Sequence, residues 1–251
     1  MEVRIADSVR AQIVDGALAY TPRFILSGPF VAVGAYKDIQ EKEGELVSTF
    51  GSAQWLWSED DDLRFRMADH ELQSLCLYLP QATAASDFDV SGWERARRIT
   101  GGLRTVANAN FSSPQTNSCW VAPDATHLIC LRNSAPHPDA SSFRLSVAPD
   151  LDLLFVQGQL VGWLLGDPAR YLTAGWEMPG SEAPAETTRS LLARTLVMTM
   201  SPEAEAIEDG DPVAWRRLRG LAEQLRAVRG DRRRTEILQA TVDRFVEWHE
   251  S

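Results

Sequence analysis

The chain has 251 residues, 44% of them hydrophobic and 24% charged, proportions that exclude a disordered chain and predict a folded protein with a substantial core. A formal net charge of −10 excludes a surface that grips nucleic acid over its whole extent and favours solubility and a basic partner. Three cysteines, Cys76, Cys119 and Cys130, are too few and too odd in number for a disulfide framework.

The opening "MEVRIADSVRAQIV" lacks the basic patch and apolar run of a signal peptide. No stretch reaches the ~18 consecutive apolar residues of a membrane-spanning helix. A cytoplasmic location is expected. Positive charge is carried by arginine except at Lys37 and Lys42, the coding bias of a GC-rich bacterial genome.

Residues 1 to 176 read as a β-rich body. "VRAQIV" and "ALAY" flank Asp15-Gly16, a two-residue hairpin signal. "RFILSG" and "FVAVGAY" are strands divided by Pro29, which cannot donate to a ladder. "KDIQEKEGE" is a surface loop or a single helical turn. Then come "AQWLW", "LRFRMA" and "LQSLCLYLP". In the second, Leu63, Phe65 and Met67 alternate with Arg64 and Arg66, which predicts one apolar and one charged face. "SGWERARRIT" (91–100) predicts a short helix with Ser91 and Glu94 as a capping box, stopped by Gly101-Gly102.

"ANANFSSPQTNS" is a polar loop, "CWVAPDATHLICLR" a hairpin turning at Pro123-Asp124, and "NSAPHPDASS" another loop. "FRLSV" leads through Pro149-Asp150 into the most apolar part of the chain. Leu151, Leu153 and Phe155 point one way, Leu154 and Val156 the other. Leu160, Gly162 and Leu164 then oppose Val161, Trp163 and Leu165. A hairpin apolar on both faces belongs at the centre, covered above and below. Asp167-Pro168 caps a short helix, "PARYL".

Residues 177 to 186, "EMPGSEAPAE", read as a linker, and 187 to 251 as a helical C-terminal region. "TTRSLLARTLVMTM" is a buried helix, and Ser201-Pro202 starts another. "DPVAWRRLRGLAEQLRAVRG" puts Val213, Ala214, Leu218, Leu221, Ala222, Leu225 and Val228 on one face. After Gly230 and a cap at Asp231, Ile237, Leu238, Thr241, Val242, Phe245 and Trp248 repeat the pattern, giving an antiparallel helical hairpin. The fold class expected is therefore α+β: an antiparallel β-rich body followed by helices. "WLWSEDDDL" and "WVAPDATHL", with "MADHELQSL" and "VAPDLDLL", echo one another, as two related β-meanders would.

No P-loop, dinucleotide fingerprint, nucleophile elbow or zincin string occurs, so no metal or cofactor is expected and no catalytic residue is assigned. Cys119, His127 and Cys130 share one hairpin, with His137 in the next loop. They are candidates for core cysteines, for a thiol nucleophile with its base, or for a metal site. Their spacing has no metal-knuckle repeat. Asp60, Asp61, Asp62, Asp87, Asp89, Asp150 and Asp152 could hold a divalent cation or lie in solvated turns. Arg216, Arg217, Arg219, Arg226, Arg229, Arg232, Arg233 and Arg234 stand against two acids, Glu223 and Asp231. They form a basic patch that would clamp phosphates, dock internally, or face solvent.

Eight tryptophans, a residue type enriched at interface anchors, favour an acidic cytoplasmic protein that binds and masks another, basic protein, as an immunity protein or a dedicated chaperone does. Trp55, Trp57, Glu59, Asp60, Asp61, Asp62 and Trp93 are the expected contacts. The alternatives are an enzyme using Cys119 or Cys130 with His127, and a nucleic-acid-binding accessory acting through the arginine-rich helices. The sequence fixes no oligomeric state.

Overall fold

A computed structural model describes residues 1–52, 61–84, 90–113, 115–132 and 137–250. The fold is α+β, with strands in two mostly antiparallel sheets and the longer helices at the C-terminal end.

The chain opens with a hairpin of β1 (Glu2–Ala6) and β2 (Val9–Val14). This corrects the expected hairpin at Asp15-Gly16. Residues 17–20 form no strand against β2, and the Leu18 N–H donates instead to the Val147 carbonyl at 2.7 Å. Next come β3 (Arg23–Ile25) and β4 (Phe30–Val33), then α1 (Ile39–Glu45). α1 exceeds one turn because Asp38 caps it, accepting the Glu41 N–H at 2.8 Å, while the Glu41 carboxylate reaches back to the Lys37 N–H at 2.8 Å. β5 (Thr49–Gly51), β6 (Asp62–Arg66) and β7 (Leu72–Tyr78) follow. "AQWLW" lies outside the described residues.

In β6, Leu63 and Phe65 are buried as expected, but Met67 is past the strand end and exposed. Arg64 is buried too. Its guanidinium donates to Thr49 Oγ1 and to the carbonyls of Thr49 and Ser52, so the face expected to be charged and open is closed by hydrogen bonds.

α2 (Val90–Arg95) ends early, and "RRIT" becomes β8 (Arg97–Thr100), leading into β9 (Gly102–Thr105). Pairing decides this: β8 runs parallel to the later strand at 143–148. Gly101 is not a helix stop. A β-carbon there would come within 2.5 Å of the Val14 carbonyl oxygen, so the residue is glycine to let two backbones approach.

β10 (Ser118–Val121) and β11 (His127–Leu131) form the predicted hairpin. β12 (Phe143–Ala148), β13 (Leu151–Val156) and β14 (Gln159–Gly166) form the central meander. Asp167 then precedes a 3₁₀ turn, Pro168–Tyr171, and β15 (Leu172–Thr173). Asp167 makes no cap, because its carboxylate is held by the Arg189 guanidinium at 2.8 and 2.9 Å. α3 (Glu186–Met198), α4 (Glu203–Glu208), α5 (Pro212–Ala227) and α6 (Arg232–Glu250) complete the chain. Ser201 bonds the Glu205 carboxylate rather than the backbone start of α4.

The larger sheet runs β8-β12-β13-β14-β1-β2-β9, with β11 and then β10 added at β14. β8 and β9 are one continuous stretch broken only at Gly101, so the sheet order returns to the segment where it began and closes as a ring. The smaller sheet runs β15-β3-β4-β7-β6-β5. The echoed segments lie across hairpins in sheets of different strand order, and residues 55–60 fall outside the described residues.

β13 and β14 are buried on both faces. Leu151, Leu153, Phe155, Trp163 and Leu165 join the main core. Leu154, Val156 and Leu164 join a second cluster capped by Trp93 of α2. Val161 also falls in that second cluster, not beside Trp163 as strict alternation requires. It is the extra residue of a bulge, since Leu154 pairs with Gly162 and Phe155 with Leu160.

The main core continues into the helices through Leu191, Leu192, Leu196, Leu218, Leu221, Leu225, Leu238 and Val242. Residues 177–185 contain no helix or strand. They are fastened to the start of α6 by Arg234, whose guanidinium donates to the Gly180 and Glu182 carbonyls at 3.3 and 2.6 Å.

Candidate functional site

Two cavities lie at opposite ends of the β3–β4 hairpin. At its turn, Leu26 and Pro29 face Leu79 and Pro80 beyond β7, and the other side is closed by Leu196 of α3, Met200 just after it, and Phe245 and Trp248 of α6. The resulting groove has about 260 Å³ and an apolar lining. Trp248 was expected on the buried face of the last helix. It is instead 80% exposed, at the rim of this groove. Arg244 and Thr241 sit on the same rim.

At the other end of the hairpin lies a cavity of about 430 Å³ bounded by Tyr20, Arg23, Tyr36, Lys37, Trp176 and Glu177. Arg23 is 2% exposed. Its guanidinium donates to the carbonyls of Gly34 (2.9 Å), Tyr36 and Trp176 (3.2 Å). It lies 4.9 Å from the Tyr36 ring centre and 5.9 Å from that of Trp176, within cation–π range. Its Nε–H is buried without a partner, and no carboxylate among the described residues pairs with it. Burial lowers its proton affinity, and the nearby Tyr36 and Cys76 oppose that only in part.

Neither cavity was visible in sequence. Arg23 merely opens the apolar run "RFILSG", and nothing in spacing joins residues 23, 36 and 176.

The residues expected from sequence are distributed differently. Trp93 has no exposed surface, which corrects its placement as a partner contact: it caps the second core cluster. Asp61 and Asp62 are buried as well. Asp61 accepts the Tyr78 N–H at 2.9 Å and Asp62 pairs with Lys42 at 2.9 Å, so they tie β6 to its neighbours rather than face solvent. Trp55, Trp57, Glu59 and Asp60 lie outside the described residues, as do Asp87 and Asp89.

Cys119 and Cys130 pair directly across their hairpin. His127 is three residues from Cys130 on the same strand, so it projects from the opposite face. The thiol–imidazole pair is not assembled, and His137 is exposed in its loop. Burial, then the contact with Cys119, pushes the Cys130 thiol well up, the reverse of an activated nucleophile.

Asp150 accepts the Tyr171 hydroxyl at 2.6 Å, and Asp152 faces Arg98 at 3.0 Å and Arg144 at 3.6 Å. Among the described residues, no three His, Cys, Asp or Glu side chains converge on a metal position. The loop around Phe111 packs on the smaller sheet, with Asn110 accepting the Gly51 N–H at 3.1 Å.

In the basic patch, Arg217 pairs with Glu203, Arg226 with Asp243, Arg232 with Glu236 and Arg233 with Glu177. Arg219 lies over Trp215, and Arg234 is buried against Asp231. Among the described residues, Arg216 and Arg229 make no such contact, leaving little of the patch free for phosphates. No helix among the described residues is long and apolar enough to cross a membrane. Comparison of the chain with family models, curated proteins and solved structures finds no match.

Proposed function

We propose that this protein works by binding another protein in the cytoplasm, and that Trp248 and the groove beside it are the anchor point. The observation that carries this reading is the 80% exposure of Trp248 next to an apolar cleft. Tryptophan dominates interface hot spots because one large, stiff ring fills a partner's pocket at little entropic cost.

The occupant of the groove is an apolar side chain presented by a partner of net positive charge. A cleft of about 260 Å³ suits one such side chain. The chain's net charge of −10 steers a basic protein and repels a second copy of itself. Masking of that partner, in the manner of an immunity protein or a dedicated chaperone, is the form of binding proposed.

The test is capture from the source cells with the wild-type chain and with Trp248→Ala, followed by binding measurements with the purified partner. Expected is a stoichiometric basic protein whose affinity for Trp248→Ala falls by at least ~10-fold. Equal capture by both chains, no stoichiometric partner, or a Trp248-dependent dimer in sedimentation would each overturn the reading.

A further inference from the structure

The cavity at the Arg23 end of the β3–β4 hairpin has a charge balance its own residues do not close. Two cations reach it, Arg23 in the wall and Lys37 at the mouth. Among the described residues Arg23 forms no ion pair, and three of its five donors meet backbone carbonyls. Lys37 is exposed, and its ammonium has no acidic partner among the described residues. Taking a guanidinium out of water is costly unless an opposite charge compensates it. Carbonyl dipoles and two ring faces offset only part of that.

The remaining ionisable groups around the cavity are Tyr20, Tyr36 and Glu177. Burial holds Tyr36 in its neutral form by pushing its hydroxyl far up. Glu177 accepts the Ala174 N–H at 2.8 Å and lies 3.4 Å from Arg233, so its charge is partly spent outside the cavity. What remains of it opposes a second negative charge on any occupant.

The other walls are flat and apolar. The Tyr36 and Trp176 rings meet edge to face at 5.5 Å, and Met178 and Tyr20 stand at the rim. The volume of about 430 Å³ lies within the range of small-molecule sites, which combine apolar walls with a few fixed polar groups.

We propose that this cavity is a binding site for a small organic monoanion, a carboxylate attached to a planar aromatic body. The carboxylate sits at Lys37 in the positive field of Arg23, and the ring lies along Tyr36 and Trp176. A single negative charge is selected because Glu177 repels a second. The site is separate from the Trp248 groove and does not depend on that groove's role.

The probe is benzoate, titrated calorimetrically into the full chain beside benzyl alcohol and inorganic phosphate. Benzoate binds, while benzyl alcohol and phosphate bind at least ~10-fold more weakly. Lys37→Ala, a surface change that leaves the fold intact, weakens benzoate by about the same factor. Arg23→Gln abolishes binding if it folds, and if it does not fold, Lys37→Ala decides. Absence of benzoate binding, equal binding of benzyl alcohol, tighter binding of phosphate, or indifference to Lys37→Ala would each sink the proposal.

Discussion

Cys119 and Cys130 face each other across the β10–β11 hairpin as a non-hydrogen-bonded pair. The Cys119 N–H and carbonyl both turn away from β11, to the Ala82 carbonyl and the Ala84 N–H at 2.8 and 2.7 Å. In that kind of antiparallel pair the side chains stand closest, and both thiols are buried. Cysteine here behaves as a small apolar side chain. The expected outcome of thiol titration with a water-soluble disulfide reagent is therefore no fast-reacting group in the native state and three in denaturant. A rapidly labelled Cys119 or Cys130 would revive the enzyme alternative that the position of His127 disfavours.

Cys76 contributes to the alkaline limb of stability, as the buried Cys130 thiol does. Its thiol is pushed up to about 12 by burial, with Lys42 opposing and Asp62 adding to the rise. An unfolded cysteine ionises at about 8.5. Between those values the unfolded chain binds fewer protons than the native one, so stability falls as pH rises through that window. The slope is about 1.4 kcal/mol per pH unit for this thiol. Chemical denaturation at a series of pH values, with Cys76→Ala beside the wild type, should show the variant losing that part of the slope. Superimposable pH profiles would show that Cys76 does not contribute.

The central hairpin was legible because its signal is local: apolar residues on both faces of a short run have one physical solution, a covered strand pair. The start of α5 was legible for the same reason, through Asp211, which accepts the Val213 N–H at 2.7 Å, whereas the Asp231 carboxylate, expected to cap α6, accepts from the Ala185 N–H and the Arg234 guanidinium. What was not legible depends on distant partners. "RRIT" reads as a helix end until β12 pairs with it, and Arg64 reads as a surface charge until the Thr49 and Ser52 carbonyls reach it. The candidate sites fall wholly in that second class. Arg23, Tyr36 and Trp176 are brought together by β3–β4 pairing and by the chain's return after β15, which no periodicity records.

Asp152 is the most consequential buried charge of the larger sheet. It is 1% exposed, and Arg144 of the adjacent β12 and Arg98 of β8 beyond it compensate it, with Arg98 also donating to Ser146 Oγ at 2.9 Å. Arg98 is half in solvent, so Arg98→Ala alone should cost about 1 kcal/mol. Removing both arginines leaves the carboxylate uncompensated and should cost about 3–5 kcal/mol, more than the two single losses added. Denaturant midpoints of the two single variants and the double variant measure the coupling, and additive losses would mean that Asp152 is hydrated in the native state.

Two glycines with opposite surroundings test the packing around the centre. At Gly162 in β14, a β-carbon would overlap the Cys130 carbonyl oxygen and come 3.0 Å from Leu131 Cα, both backbone atoms that cannot swing aside. Gly162→Ala must push β11 from β14 or distort the bulge beside it, and should cost about 2–4 kcal/mol. Gly220, inside α5, has nothing within 4 Å of a β-carbon. There alanine only removes unfolded-state freedom and improves helix propensity, so Gly220→Ala should stabilise by about 0.5–1 kcal/mol. Denaturant midpoints of the two variants should move in opposite directions from the wild type. A neutral Gly162→Ala would mean that β11 does not lie against β14 in the register found here.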